Sequence, residues 1–322
     1  MMPFPDPEAR LQGPEMLISR VIRAPRELVW QAFTDPEHLT HWWGPLGFSL
    51  ETESFGFHSG GAWIHLMRGP DGTGYPNRIR FHEVVSPERL TYTHDTGKED
   101  DPEGFETTIT LLDLGGATHV VMRAVFRSEE ACRLVAQKYG ALEGGVQMLT
   151  RLVDQVVLLA GPTFHMERQL AAPVDRVWKA WTDPEALACW WGPKGMPTRV
   201  VVHDFRPGGH FLYAITPPGG PEFWGRMDYR DIAPHHHLGF ATAFSDAQGG
   251  LTRHPMAPVW PLRMLNRVTL RPEGPGTRLS LSSAPLEGTA EEVAAFAQAM
   301  PNLGQGWGGT LDGLTAYLAT LS

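Results

Sequence analysis

The sequence predicts an α+β fold that occurs twice, each time as a curved antiparallel sheet wrapped around a long C-terminal helix, the helix-grip arrangement. The first observation is an internal repeat, in which the segment from Trp30 to Gly47 returns from Trp178 to Gly195. Matched residues lie 148 positions apart, which indicates a duplicated domain, because solenoid and propeller repeats are about 20 to 50 residues long. The second is the length of 322 residues, which suits two domains of about 150 residues. We expect domains at 14–161 (copy 1) and 162–322 (copy 2).

The third observation is the order of elements, which is the same in both copies. Alternating residues predict an opening strand at 17–22 and again at 164–170. Two short helices follow. The first starts near a proline, and the second begins at Asp35 or Asp183, each followed by proline and glutamate, as expected of a helix N-cap.

Five strands and a long helix then complete each copy. The predicted strands are 62–67, 77–85, 89–94, 105–112 and 119–126 in copy 1, and 211–216, 224–232, 238–244, 265–270 and 278–283 in copy 2. The closing helices are predicted at 129–159, interrupted at Gly144-Gly145, and at 290–321, interrupted around 301–309. The residues Leu149, Leu152 and Val156 match Leu311, Leu314 and Leu318, so one apolar stripe of each helix is expected to face the sheet.

Composition argues against several classes of protein. No run approaches the roughly 18 apolar residues of a membrane span, and the N-terminus lacks the basic and apolar regions of a secretory signal. We therefore expect a cytoplasmic protein. Its two cysteines, Cys132 and Cys189, lie in different halves at unmatched positions, so no disulfide is expected. A net charge of −9 disfavours binding to nucleic acid or to an anionic membrane.

Several motifs, taken together, resemble those of a known family. They are Ala-Pro-x-x-x-Val-Trp, Thr-Asp-Pro-Glu, Trp-Trp-Gly-Pro, a Gly-Gly pair before Trp63 and Phe211, Ser86-Pro-Glu-Arg-Leu90, and Gly306-Trp-Gly-Gly-Thr-Leu311. In this order the chain resembles a tandem START-like (SRPBCC) protein of the family named after the C-terminal domain of the activator of heat-shock protein 90 ATPase. Two segments depart from the pattern, Pro234-His-His-His-Leu238 and Gly144-Gly-Val, which allows the copies to have different roles.

The resemblance implies a ligand cavity between the sheet and the C-terminal helix of each copy. Its candidate lining residues lie on the short helices or alternate along the first strand after them. They are Trp42, Trp43, Trp63, His65 and Met67 in copy 1, and Trp190, Trp191, Phe211, Tyr213 and Ile215 in copy 2. The alternative is that these aromatic residues fill the core completely.

Polar residues inside this pattern raise the question of chemistry. Arg78 and Arg226 occupy matched strand positions, where an arginine either anchors a ligand carboxylate or phosphate or makes a structural ion pair. His65 corresponds to Tyr213, so both copies place a polar tip there, suited to hydrogen bonding or acid–base work. A hydrogen-bonded core histidine is the simpler interpretation of His65.

No metal or cofactor is expected from the motifs. The run 235–237 contains three histidines, but successive residues of an extended segment point in alternating directions, so a solvated loop is the better interpretation. The sequence also lacks His-Glu-x-x-His, Cys-x-x-Cys, a phosphate-binding loop and Gly-x-Ser-x-Gly.

Three functions follow from this interpretation. The leading hypothesis is a carrier, sensor or sequestering protein for a hydrophobic or aromatic small molecule. The second is a cavity-based enzyme such as a cyclase, dehydratase or hydrolase, which would gain support if His65 or His94 faced an open cavity beside an acid. The third is a co-chaperone-like protein interaction. The two halves are also expected to pack as a pseudo-dimer, a hypothesis that independent tumbling in NMR relaxation would refute.

Overall fold

A computed structural model describes residues 7–97, 101–193 and 195–321 of the chain. They divide into two units, Met1–Ala160 and Gly161–Ser322, which we describe separately. The first unit contains β1 (Glu8–Gln12), which lies ahead of the domain start predicted at residue 14.

The first unit begins with strands and two short helices and ends with two helices. Its elements are β1, β2 (Glu15–Ile22), α1 (Arg26–Thr34), α2 (Pro36–Thr40), β3 (Ser49–Phe55), β4 (Ala62–Arg68), β5 (Gly74–Val85), β6 (Arg89–Asp95), β7 (Phe105–Asp113), β8 (Thr118–Phe126), α3 (Glu129–Tyr139) and α4 (Ala141–Ala160). The strands form one antiparallel sheet in the order β1-β2-β8-β7-β6-β5-β4-β3. The apolar stripe of α4 is buried at Leu149, Leu152 and Val156, and α4 packs against β2 and α1.

The second unit repeats this plan. Its elements are β9 (Phe164–Leu170), α5 (Val174–Thr182), α6 (Pro184–Trp190), β10 (Thr198–His203), β11 (His210–Ile215), β12 (Phe223–Ala233), β13 (His237–Ser245), β14 (Leu251–Thr252), β15 (Met264–Glu273), β16 (Gly276–Pro285) and α7 (Ala290–Ala319). The sheet order is β10-β11-β12-β13-β15-β16-β9, and β14 pairs with β13. These findings confirm the predicted α+β helix-grip architecture in both copies.

Matched residues build the same local structures in the two units. The side chain of Asp35 accepts a hydrogen bond from the backbone N–H of Glu37 at 2.8 Å, and Asp183 caps α6 in the same way, which confirms both as N-caps. The indole of Trp42 donates to the Ala32 carbonyl at 2.9 Å, as Trp190 does to Ala180 at 2.7 Å. These bonds tie each Trp-Trp segment to the first short helix of its copy, α1 or α5.

The sequence did not reveal every element. The strands β3 and β10 were not predicted, because both are edge strands with few buried residues and therefore show little apolar alternation. The predicted break at Gly144-Gly145 was wrong. The break lies at Gly140, whose φ of 59° ends α3 in the left-handed conformation. The predicted interruption of α7 was also wrong, since this helix continues through the exposed Pro301.

The histidine run is another correction. His235 and His236 are exposed, but His237 is buried at the start of β13 and its Nε2 lies 2.6 Å from Asp231 Oδ2. The solvated-loop interpretation therefore fails for His237, because a carboxylate partner offsets the burial of its polar ring.

Candidate ligand cavities

A cavity of about 450 Å³ lies in the first unit, and we call it the copy 1 cavity. It is lined by residues of β2, β4 to β8, α3 and α4 and by the turn at 44–48. Most of these residues are aromatic or apolar, among them Trp43, Phe48, Met67, Tyr75, Tyr92, Phe105, Phe126 and Met148. Both its volume and its lining are typical of a site for a small organic ligand.

Two of the predicted copy 1 residues line this cavity, Trp43 and Met67. Trp42 is fully buried in the core behind it. Trp63 is also buried, and its indole donates to Thr52 Oγ1 at 3.1 Å. His65 stacks on Trp63 with ring centroids 4.0 Å apart, so these two rings form a layer under the cavity wall.

His65 is a core histidine, as predicted, but the hydrogen bond predicted for its ring is not found among the described residues. Only 2% of the residue is exposed, and neither ring nitrogen has a hydrogen-bond partner among the described residues. Burial, reinforced by the charge of His94, lowers the pKa of His65 to about 3. The imidazole is therefore neutral at pH 7 and acts as a flat packing group.

His94 lines the copy 1 cavity, and its tautomer follows from its neighbours. Its Nε2 lies 2.6 Å from Asn77 Oδ1, and the amide of Asn77 is oriented because its Nδ2 donates to the Tyr75 carbonyl at 2.7 Å. Since an amide oxygen only accepts, His94 Nε2 carries the proton and Nδ1 carries the lone pair. Burial lowers the pKa of His94 to about 4, although the charges of Asp95 and Asp101 oppose this shift.

Two carboxylates lie at the mouth of the copy 1 cavity. Asp101 accepts hydrogen bonds from the Thr96 N–H at 2.8 Å, from Thr96 Oγ1 at 2.7 Å and from the Glu103 N–H at 2.9 Å. Burial works against its ionisation, but these bonds still hold the pKa of Asp101 below its ordinary value. Glu103 accepts from Lys138 Nζ at 2.5 Å and from the Tyr139 hydroxyl at 2.6 Å, which lowers its pKa. Both groups are therefore charged at pH 7.

Arg151 positions one wall of this cavity, a role that was not predicted from the sequence. The side chain, 2% exposed, reaches from α4 to the turn at 44–48, where Nη1 donates to the carbonyls of Gly44 and Pro45 at 3.1 and 2.9 Å. Nη2 donates to Phe48 at 3.3 Å. The sequence offered one signal for this role, an arginine placed between Leu149 and Leu152 of the apolar stripe.

The two matched arginines lie outside the cavities. Arg78 Nε donates to Asp95 Oδ1 at 2.7 Å, and Arg80 donates to the other oxygen of the same carboxylate at 3.0 Å. Arg226 Nε donates to Asp228 Oδ1 at 2.6 Å. Neither Arg78 nor Arg226 lines the cavity of its copy, and these contacts fit the structural ion-pair alternative.

The second unit contains a cavity of about 530 Å³ in the corresponding place, the copy 2 cavity. Three predicted residues line it, Trp191, Tyr213 and Ile215. Trp190 and Phe211 are buried in the core instead. The segment 254–262 and α7 contribute the remaining walls, with the apolar residues Met256, Trp260, Leu262, Leu303 and Trp307.

Exchanges at matched positions give the two cavities different shapes. Trp307 packs edge-on against Trp191 with centroids 6.0 Å apart, whereas the matched residue in copy 1 is Gly145, which lies against Ile18. Asn77 of copy 1 corresponds to Gly225, over which the Tyr213 ring lies. In copy 2 the Tyr213 ring therefore lies over residue 225. In copy 1 the matched position carries the polar side chain of Asn77.

Within 7–97, 101–193 and 195–321, no group of three or more His, Cys, Asp and Glu side chains is arranged to hold a metal ion. None of the helices in these ranges has the length and apolar character needed to cross a membrane.

Comparisons with known proteins place the chain in a family. The family model described as Activator of Hsp90 ATPase homolog 1-like protein matches residues 23–156 and 171–319. No curated protein matches the sequence significantly.

Several solved structures are similar to one copy. A protein from Arthrobacter aurescens is 24% identical, covers 46% of this chain and 90% of its own, and has a TM-score of 0.43. A protein from Mycobacterium smegmatis is 27% identical over 50% of this chain and 92% of its own, with a TM-score of 0.41. One from Chromobacterium violaceum is 26% identical over 48% and 96%, with a TM-score of 0.37. Because the family model covers most of the sequence in two tandem stretches, the chain belongs to the Activator of Hsp90 ATPase homolog 1-like family and contains its START-like domain twice.

Proposed function

We propose that each copy binds a small hydrophobic or aromatic molecule between its sheet and its C-terminal helix, so that the protein acts as a carrier, sensor or sequestering protein in the cytoplasm. One observation carries this proposal. Both units keep a cavity at the corresponding place, of about 450 and 530 Å³, lined by the matched pairs Trp43 with Trp191 and Met67 with Ile215. Plain core packing leaves few voids larger than a water molecule, so two such cavities favour ligand binding.

The cytoplasmic location is supported by the state of the cysteines. Cys132 is buried and Cys189 is exposed, and both are free thiols. An exposed free thiol suits a reducing compartment, where disulfides rarely persist.

An acid–base enzyme is the second candidate, because His94 and Asp101 line the same cavity. A general base works best when its pKa lies near the working pH. Burial lowers the pKa of His94 to about 4, so this imidazole is a weak base at pH 7. Its lone pair is better suited to accepting a hydrogen bond, and binding is therefore our conclusion.

Filling each cavity separately tests the proposal. Ala124 lines the copy 1 cavity, and Gly306 lines the copy 2 cavity with open space around an added Cβ. We expect the unaltered chain to bind two molecules of the neutral dye N-phenyl-1-naphthylamine, measured by fluorescence titration. Ala124→Trp and Gly306→Trp should each remove one of the two.

The control variant is Leu134→Trp, which adds an indole at a surface position of α3 that is 51% exposed. It should leave the dye stoichiometry at two. The proposal fails if the unaltered chain binds no dye, or if both cavity variants bind as much dye as the control.

A further inference from the structure

The mouth of the copy 1 cavity carries a carboxylate with an unmatched charge. Asp101 is 9% exposed, and within the described part of the chain its carboxylate accepts hydrogen bonds only from neutral donors, the N–H groups of Thr96 and Glu103 and the Thr96 hydroxyl. A largely buried charge without a counter-ion is costly, so such groups are normally paired. The mouth of this cavity therefore favours a cation.

The nearby cations are engaged elsewhere. Lys138 Nζ binds Glu103, and Arg127 donates to the backbone carbonyl of Asp101 rather than to its carboxylate. Among the described residues, no lysine or arginine contacts the Asp101 carboxylate or lines the copy 1 cavity. An anionic ligand would accordingly meet Asp101 with no compensating positive charge in the lining.

Asp101 is also accessible from the cavity. Together with Phe105 and Phe126 it borders both the copy 1 cavity and a neighbouring groove, so it forms part of the wall between them. The interior beyond it is lined by aromatic rings, including Trp43 and Tyr92, whose faces attract cations as well as apolar groups.

The copy 2 cavity provides an internal comparison. The corresponding loop after β13 contributes His254, Met256 and Trp260, and the lining contains no Asp, Glu, Lys or Arg among the described residues. Burial lowers the pKa of His254, which keeps it neutral at pH 7. The same loop therefore gives a charged mouth in copy 1 and an uncharged mouth in copy 2.

We propose that the copy 1 cavity selects an organic cation, an amine with an aryl or alkyl body, whose ammonium group binds Asp101, and that the copy 2 cavity selects an uncharged apolar molecule. This inference rests on the proposed function and adds the ligand class. An alkylamine resembles the lysine side chain, whose pKa is about 10.4, so it is charged at pH 7 and donates a hydrogen bond to the remaining lone pair of Asp101, which is on Oδ1. Its body fills the aromatic interior.

The test compares three probes that share one body and differ in the head group: 4-phenylbutylamine, 4-phenylbutanol and 4-phenylbutanoate. Calorimetric titration is made on the full chain and on the two cavity-filling variants, which assign each binding event to a copy. In Gly306→Trp, where the copy 1 cavity is open, we expect the amine to bind about tenfold more tightly than the alcohol, and the carboxylate to bind most weakly. In Ala124→Trp, the alcohol should bind more tightly than either charged probe.

Asp101→Asn removes the charge and keeps one acceptor oxygen, although the Thr96 N–H and the Glu103 N–H bind different carboxylate oxygens and only one of them keeps its acceptor. We expect this variant to lose the tenfold preference for the amine while its affinity for the alcohol changes less than twofold. The matched control is Asp113→Asn, which removes the same charge from an exposed carboxylate that also accepts a backbone N–H, that of Gly115 at 2.9 Å. It should keep the preference.

The outcomes separate the two proposals. If the copy 1 cavity binds the alcohol as tightly as the amine, the inference is overturned and the proposed function survives. If no probe binds either cavity, both are overturned. The head-group comparison needs no change at Asp101, so poor folding of Asp101→Asn would not prevent the test.

Discussion

Gly225 is a position where one methyl group should change both stability and cavity shape. Tyr213 and Gly225 are directly paired across β11 and β12. A Cβ added at residue 225 would lie 2.4 Å from both Cζ and Oη of Tyr213, which is far inside van der Waals contact. Gly225→Ala therefore requires the ring to move away from its present place in the cavity wall.

The expected magnitude follows from two opposing effects. Overpacking of this kind costs about 1 to 3 kcal/mol, whereas replacing a strand glycine by alanine stabilises by about 0.5 to 1 kcal/mol through the unfolded chain. We expect Gly225→Ala to destabilise copy 2 by about 1 to 2 kcal/mol. In a Tyr213→Ala background the clash is absent, so the same change should stabilise it by about 0.5 kcal/mol, a coupling of about 2 kcal/mol.

Peptide-resolved hydrogen exchange across a urea series measures the free energy of unfolding of copy 2 in the intact chain. The control is Gly239→Ala on β13, where the nearest atom to an added Cβ, Asp231 Cβ, is 3.4 Å away, an ordinary contact. It should cost less than Gly225→Ala. Equal effects of Gly225→Ala in the presence and absence of the Tyr213 ring would refute the reasoning.

Three further predictions concern copy 1. His65→Phe should stabilise it by about 1 kcal/mol at pH 7, because the stack on Trp63 is kept and two unpaired nitrogens are removed. The pKa of His65 is about 3 in the folded chain and 6.5 in the unfolded chain, so the wild type loses stability as the pH falls from 6.5 towards 3. Urea titrations at pH 7 and 5 should therefore show a smaller loss of stability in the variant. Asp95→Asn should destabilise by about 2 kcal/mol at pH 7 through loss of its arginine contacts. Burial alone would raise the pKa of Asp95, but hydrogen bonding from Arg78 lowers it below its ordinary value. The stability that the Asp95 carboxylate contributes is therefore present above about pH 4 and is lost as the pH falls below that value. In that range the acid-unfolding curves of variant and wild type should converge. Arg151→Met should weaken dye binding in copy 1 alone, because it frees the turn that forms part of that wall; unchanged affinity in a fluorescence titration would contradict this.

The fold was largely predictable because its signals are local and occur twice. The Asp-Pro-Glu caps, the paired tryptophans and the apolar stripes lie at matched positions, so each copy supports the interpretation of the other. The edge strands β3 and β10 escaped prediction because they bury only two residues and one residue, so neither shows an apolar alternation.

The cavity lining was less predictable because it depends on space left between distant residues. Alternation places Trp63, His65 and Met67 on one face, but only Met67 reaches the copy 1 cavity, since the two rings stack beneath its wall. The pairing of Tyr213 with Gly225 also requires strand register, which no local pattern supplies. The roles of Asp101 and Arg151 depend likewise on tertiary contacts.

Native mass spectrometry of the gently purified full chain, compared with its denatured mass, tests most directly whether the two cavities bind ligands. We expect a small-molecule adduct that disappears on denaturation. If the chain is purified without a ligand, we expect it to retain up to two molecules of N-phenyl-1-naphthylamine after incubation. Ala124→Trp and Gly306→Trp should each retain one molecule fewer. A native mass equal to the polypeptide mass, both before and after incubation with the dye, would contradict the account and indicate filled cores.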